Sequence, residues 1–232
     1  MTMEVKHIGI VACSAEGAAL CYRPICSEAS KQMGGHNHLE ISTHTIPLAD
    51  CMVGIEGDDW EGGAELMLRS ARKLAAIGAD FLICPDNTIH QSFVSVEANS
   101  PLPWLHIARV VCESGASRGF KQLGITGTKF LTEGPVYSGV AKMVDLNTVT
   151  PGVDRRNRIN DIIFDQLVYG DIRDTSRDYF VETIGILADQ GCDAVVLGCT
   201  EIPLIVNDSI SSLPTLDPTR RLARAALHHA IT

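Results

Sequence analysis

Strand-like apolar runs alternate with helix-like amphipathic ones along this chain, and that alternation restricts its fold more than any other feature of the sequence. Residues 7–13 read as a strand, 15–32 as a helix, 40–46 as a strand, 60–77 as a helix closed by Gly78, and 81–84 as a buried strand. The order then repeats. Residues 122–126 read as a strand, those near 132–142 as a helix, those near 145–149 as a strand, 176–189 as a helix closed at Gly191, and 194–197 as a strand. Such βα alternation predicts parallel sheets flanked by helices, with ligand pockets beyond the carboxyl ends of the strands.

The two halves read as a divergent internal repeat. GADFLICPDNT (residues 78–88) lies over GCDAVVLGCTE (residues 191–201) at an offset of 113, which matches Gly78 to Gly191, Asp80 to Asp193 and Asp86 to Cys199. IGIVAC (residues 8–13) lies over LGITGT (residues 123–128) at an offset of 115. The expected fold is therefore α/β, with two pseudo-symmetric domains, each a parallel sheet flanked by helices, and an active site in the cleft between them. Asp86 and Cys199 would face each other there. The apolar-poor residues 99–103 and the residues around 212–214 mark the crossings, giving a first domain of 1–100, a second of 101–212, and a last helix near 219–230, within 213–232, that packs back on the first.

Charge and cysteine content narrow the function classes. A formal charge of −9 and a pI near 5.3, with no Lys/Arg run, argue against a nucleic-acid or anionic-membrane surface. The longest apolar stretches are strand-sized, far below the roughly 20 residues of a bilayer span. Residues 1–6 carry both Glu4 and Lys6, unlike a secretory leader, so a cytoplasmic protein with a small-molecule partner is expected. The 8 cysteines include no CxxC pair, and in a chain able to bury a real core they read as small apolar residues in a reducing compartment. Neither a metal nor a cofactor is expected, since no Lys-centred or glycine-rich cofactor motif occurs.

Two segments carry the chemistry. GCTEIP (residues 198–203) follows a buried strand directly, placing Cys199 at a strand end beside the start of a turn or helix, where amide dipoles favour a thiolate. On local sequence alone it fits equally a buried thiol with Thr200 as a helix cap. PDNT (residues 85–88) occupies the matching place in the first half, where Asp86 could be an acid/base group or the cap of a helix beginning near Thr88. His90 could hydrogen-bond Asp86 from one turn on or lie on a helix surface, and His36 and His38 read as a solvated turn.

LGCTEIP closely resembles the second signature of the aspartate/glutamate racemase family. INDIIFDQLVYG (residues 159–170), Ser176 and Arg177, GDDWEGGAELM (residues 57–67) and LGITGTKF (residues 123–130) are similar to that family in the same order. The resemblance covers nearly the whole chain. It implies that Cys199 is one of two acid/base groups, and that Asn87, Thr88, Thr128 and Thr200 hold a substrate carboxylate, with Ser14 and Glu201 as weaker candidates. Each of these also reads as a turn or cap residue. The chain departs from the family at the first signature, usually CNT, where it has Asp86 in place of the cysteine; Cys84 reads as the last residue of the preceding strand. Leu131 follows GTKF where the family commonly has Thr, with Thr132 one position later, and no cation for a substrate side-chain carboxylate is evident.

Removing an α-proton needs a base on one face of the carbon, an acid on the other, and donors for the enolate-like carboxylate. Asp86 and Cys199 could be the first two. The leading expectation is thus a cofactor-independent racemase or epimerase of an aspartate- or glutamate-like substrate, and the resemblance implies a homodimer. A single-cysteine decarboxylase or isomerase of a dicarboxylic acid, similar to arylmalonate-type decarboxylases, is the second reading. A non-catalytic carboxylate-binding protein is the third.

Overall fold

The computed structural model describes residues 5–232; residues 1–4, which hold most of the segment read as unlike a leader, lie outside it. In chain order the elements are β1 (Ile8–Ala12), α1 (Ala15–Met33), β2 (Ile41–Thr45), α2 (Leu48–Glu56), α3 (Trp60–Ala76), β3 (Phe81–Ile83), a 3-10 turn (Thr88–Ser92), α4 (Phe93–Asn99), β4 (Trp104–Leu105) and α5 (Ile107–Ser117). There follow β5 (Gln122–Thr126), α6 (Lys129–Glu133), α7 (Val136–Lys142), β6 (Asn147–Val149), α8 (Val153–Asp165), α9 (Asp174–Asp189), β7 (Ala194–Leu197), a 3-10 turn (Ile202–Leu204), β8 (Thr215–Leu216) and α10 (Pro218–Ile231). They form two compact units: one runs to Val110 and includes Thr219–Thr232, the other is Val111–Pro218. Among the described residues no helix is long and apolar enough to cross a membrane.

Each unit holds one four-stranded, wholly parallel sheet, and the two strand orders correspond: β2-β1-β3-β4 and β6-β5-β7-β8. The registers correspond as well. Ile8 pairs with Phe81 in the first sheet and Leu123 with Ala194 in the second; Leu82 pairs with Trp104 and Val195 with Thr215. Ile8 to Leu123 is the offset of 115 read from the sequence, Phe81 to Ala194 and Leu82 to Val195 the offset of 113, while Trp104 to Thr215 is offset by 111. Side-chain chemistry repeats with them. The Asp80 carboxylate accepts the His7 N–H at 2.6 Å, and the Asp193 carboxylate accepts the N–H groups of Lys121 and Gln122 at 2.6 and 2.8 Å. Gly78 and Gly191 both end their helices with positive φ, +88° and +85°, a conformation glycine adopts without penalty.

Packing follows from strand alternation. In the first unit, Ile8, Ile10, Ala12, Phe81 and Ile83 point to one face, where Cys21, Ile25 and Ala29 of α1 meet Leu222, Ala226 and Leu227 of α10. Val11 and Leu82 point to the other, against Ala71 and Leu74 of α3. In the second unit, Val195 and Leu197 pack with Ile159, Ile162 and Ile163 of α8 and Phe180, Ile184 and Leu187 of α9. One close approach recurs: a Cβ on Gly9 would fall 3.3 Å from Leu74 Cβ, and one on Gly124 would fall 3.4 Å from Leu187 Cβ. Glycine at these two strand positions lets a helix settle on the sheet.

Several elements differ from expectation. The single helix expected near 132–142 is two, α6 and α7, because Gly134 and Pro135 interrupt it and proline cannot continue a helical hydrogen-bond ladder. The helix expected near Thr88 starts as a 3-10 turn and continues as α4, whereas α2, α5 and α8 and the two-residue strands β4 and β8 have no counterpart among the expected elements. Strands that short lack a periodic signal and form because a neighbouring strand offers an unpaired edge.

Candidate active site

Asp86 stands three residues beyond the end of β3, half-buried, where the register of β1 and β3 brings the end of β1 alongside it. The Cys13 N–H donates to Asp86 Oδ2 at 2.8 Å, and the Ser14 hydroxyl donates to Oδ1 at 3.0 Å. Ser14 also caps α1, its Oγ accepting the Gly17 N–H at 3.1 Å. One hydroxyl thus fixes the start of a helix and one oxygen of the carboxylate. Such second-sphere donors hold a carboxyl group in one orientation, as a positioned base requires.

Beneath Asp86 lie neutral, buried groups. The Cys13 thiol lies beside those of Cys51, on α2, and Cys84, which follows β3 and donates to the Asp86 carbonyl at 3.9 Å. Burial, followed by the nearby Asp86 charge, raises the Cys84 thiol above its ordinary value, and Cys51 is raised by the neighbouring Cys13 thiol and by burial. His90 is buried, not on a surface, and its Nδ1 bonds the backbone carbonyl of Asp86 at 2.8 Å, not the carboxylate. Burial, followed by the charge of neighbouring His106, depresses His90 well below the usual histidine range. A neutral ring donating from Nδ1 and accepting the Ile107 N–H at Nε2 (3.5 Å) satisfies both bonds. His106 in turn accepts the Ala108 and Arg109 N–H groups at Nδ1, 3.1 and 3.4 Å away, and so caps α5. Both rings pack with Phe93.

In the second unit Cys199 holds the corresponding position, half-buried beyond β7. Its Sγ donates to Glu201 Oε2 at 2.9 Å, and Thr200 Oγ1 donates to the same oxygen at 2.8 Å. Glu201 is itself buried, so one carboxylate oxygen gathers the thiol and the hydroxyl. Gly198 explains how this loop sits so close to β5: its N–H donates to the Thr126 carbonyl at 2.8 Å, and an added Cβ would fall 2.5 Å from that oxygen. Thr128 caps α6, accepting the Leu131 N–H at 3.3 Å, and the Thr132 hydroxyl donates back to the Thr128 carbonyl at 3.1 Å.

The structure therefore gathers Ser14, Asp86, Asn87 and Thr88 around the end of β3 in one unit, and Cys199, Thr200 and Glu201 beyond β7 in the other, with Thr128 beyond β5. Asn87 takes the cap position of the 3-10 turn that Thr88 begins. Sequence reasoning missed the Cys13 N–H, the thiols of Cys51 and Cys84 beside it, and His106. Only Cys13 left a signal, as the residue that ends the apolar run of β1.

Two parallel four-stranded sheets of matching order, carrying a carboxylate and a thiol at corresponding strand ends, define a two-domain α/β protein of the racemase type. The chain matches the Asp/Glu/hydantoin racemase family over residues 10–226, and it belongs to that family of isomerases. It is similar to the crystal structure of a candidate Asp/Glu racemase from Yersinia pestis, with 30% identity, a TM-score of 0.90, and 98% of this chain and 100% of that one covered. Two further likenesses are of fold alone. An aspartate racemase homologue from Pyrococcus horikoshii gives 24% identity, a TM-score of 0.83 and coverage of 97% and 99%. A mutant arylmalonate decarboxylase gives 13% identity, a TM-score of 0.59 and coverage of 97% and 93%.

Proposed function

We propose that this enzyme racemises or epimerises an aspartate- or glutamate-like substrate at Cα, with Asp86 and Cys199 as its two acid/base groups. The observation that carries the reading is their correspondence: both are half-buried, both follow the third-position strand of the same sheet topology, and the ladder registers relate them by one offset. In one direction the Asp86 carboxylate removes the α-proton and the Cys199 thiol delivers its proton to the opposite face. Charge on the substrate carboxylate is met by hydroxyl and amide donors among Asn87, Thr88, Thr128 and Thr200. Turnover leaves Asp86 protonated and Cys199 as thiolate; the reverse reaction, or proton exchange with solvent, restores the starting form. Glu201 positions the thiol through its hydrogen bond.

No step in this scheme calls on a cofactor. Eight cysteines without a CxxC pair suit a reducing, cytoplasmic compartment, and a homodimer of the 25.0 kDa chain completes the reading; a sedimentation mass of a single chain would remove the dimer.

Exchange of the Cα hydrogen in deuterated water, run over a panel of amino and dicarboxylic acids, tests the function. Stereochemical inversion with deuterium incorporation at Cα supports it. Release of carbon dioxide from a malonate-type acid without such exchange assigns the single-thiol decarboxylase instead, a reading kept because one thiol of the family's usual pair is Asp86 here.

A further inference from the structure

The acid/base pair does not use the three thiols packed under Asp86. Cys13 follows β1, Cys84 follows β3 and Cys51 lies on α2; all are buried, and the Cys13 thiol lies beside the other two. The Sγ atoms of Cys13 and Cys84 and a carboxylate oxygen of Asp86 lie within 4.8 Å of one another. We propose that Cys13, Cys84 and Asp86 form a capture site for a thiophilic divalent cation of the Zn2+ class, with water completing its coordination, whose binding withdraws Asp86 from chemistry. The second clause rests on the function proposed above; the first does not.

Geometry and donor chemistry support this choice. A tetrahedral zinc ion bonds sulfur at about 2.3 Å and carboxylate oxygen at about 2.0–2.2 Å, so its ligand atoms lie roughly 3.5–3.8 Å apart. These three ligand atoms need to approach by no more than ~1.3 Å to reach that spacing. Thiolates with one carboxylate select zinc or cadmium, whereas magnesium and calcium take six or more oxygen ligands. The carboxylate is already oriented by the Cys13 N–H and the Ser14 hydroxyl, the kind of outer-sphere support that metal ligands need. Half-buried Asp86 gives the ion its way in from solvent. On binding, each ligating thiol gives its proton to solvent and sulfur bonds the metal, without any change of oxidation state.

The test uses the full chain, kept reduced by a phosphine, and titrated with Cd2+ as a spectroscopic stand-in and with Zn2+ against a chromophoric chelator. A thiolate-to-cadmium charge-transfer band that saturates at one ion per chain is expected. Cys84→Ser and Cys13→Ser should each weaken Zn2+ by more than the roughly 10- to 100-fold typical of losing an outer-sphere partner, while Cys112→Ser and Cys199→Ser leave the affinity unchanged. Absence of the band in the wild-type chain overturns the site, whatever the variants do. So does a band that survives Cys13→Ser and Cys84→Ser and vanishes with Cys199→Ser. Exchange activity, followed separately, should fall in proportion to occupancy; full activity in the occupied enzyme overturns the second clause alone. A chain with no exchange activity under any condition sinks the racemase reading, and the band still decides the metal site.

Discussion

Asp86 and Cys199 are built into their loops by different local chemistry, and each can be tested on its own terms. Asp86→Asn keeps an oxygen to accept the Cys13 N–H, so fold and ligand binding should persist, while Cα exchange should fall by roughly 100- to 10,000-fold, the range for losing a positioned acid/base group. Cys199→Ser should be similarly damaging. Wild-type exchange in Asp86→Asn, with Cys199→Ser inactive, would assign the single-thiol chemistry. Gly198 is the residue on which the Cys199 loop depends, because Thr126 and Leu131 occupy the place of any side chain. Gly198→Ala should cost about 1–3 kcal/mol of stability, as overpacking does, and displace the thiol from Glu201. Denaturant unfolding and exchange rates together check this; an unshifted midpoint with full activity would refute it.

At the scale of elements, the segment from β3 to α5 is tied together by uncharged histidines. Burial, followed by the positive charge of Arg109, pushes His106 down from 6.5 to about 4. Its neutral Nδ1 is the acceptor that caps α5, and protonation would remove it. The unfolded chain binds this proton below about pH 6.5 and the folded chain only below about pH 4. Stability contributed here is therefore complete above pH 6.5 and declines as pH falls to 4, by up to about 3 kcal/mol. His90, shifted the same way, adds to the decline. His106→Asn, which can still cap, should flatten the pH dependence of chemical unfolding between pH 6.5 and 4; an unchanged slope would remove His106 as its source.

At the scale of the molecule, the first unit is not continuous in sequence. Its core is completed by α10, whose Leu222, Ala223 and Ala226 are fully buried among Ile8, Ile10 and Phe81. Leu222→Ala should cost about 2–5 kcal/mol, the range for emptying a buried leucine site. A chain ending at Pro218 should lose amide protection in β1 and β3 while β5 and β7 keep theirs. Protection retained in β1 would show that α10 is dispensable to that core.

The sequence by itself determined the alternation of strands and helices, the two parallel sheets and the register that equates Asp86 with Cys199. These are local or periodic properties: apolar runs of strand length, helices ended by Gly78 and Gly191, and a repeated Asp two residues beyond each glycine. Tertiary structure alone decided that Asp86 takes its donors from the end of β1, that His90 turns inward to a carbonyl, and that Glu201 receives the Cys199 thiol. It also decided that Cys13, Cys51 and Cys84, far apart in sequence and in no recognisable ligand spacing, share one buried cluster. The physical reason is common to all of these. Periodicity records which way a side chain points within its own element, whereas a hydrogen bond between elements depends on strand order and on how closely glycine lets the chain approach, and neither leaves a period in the sequence.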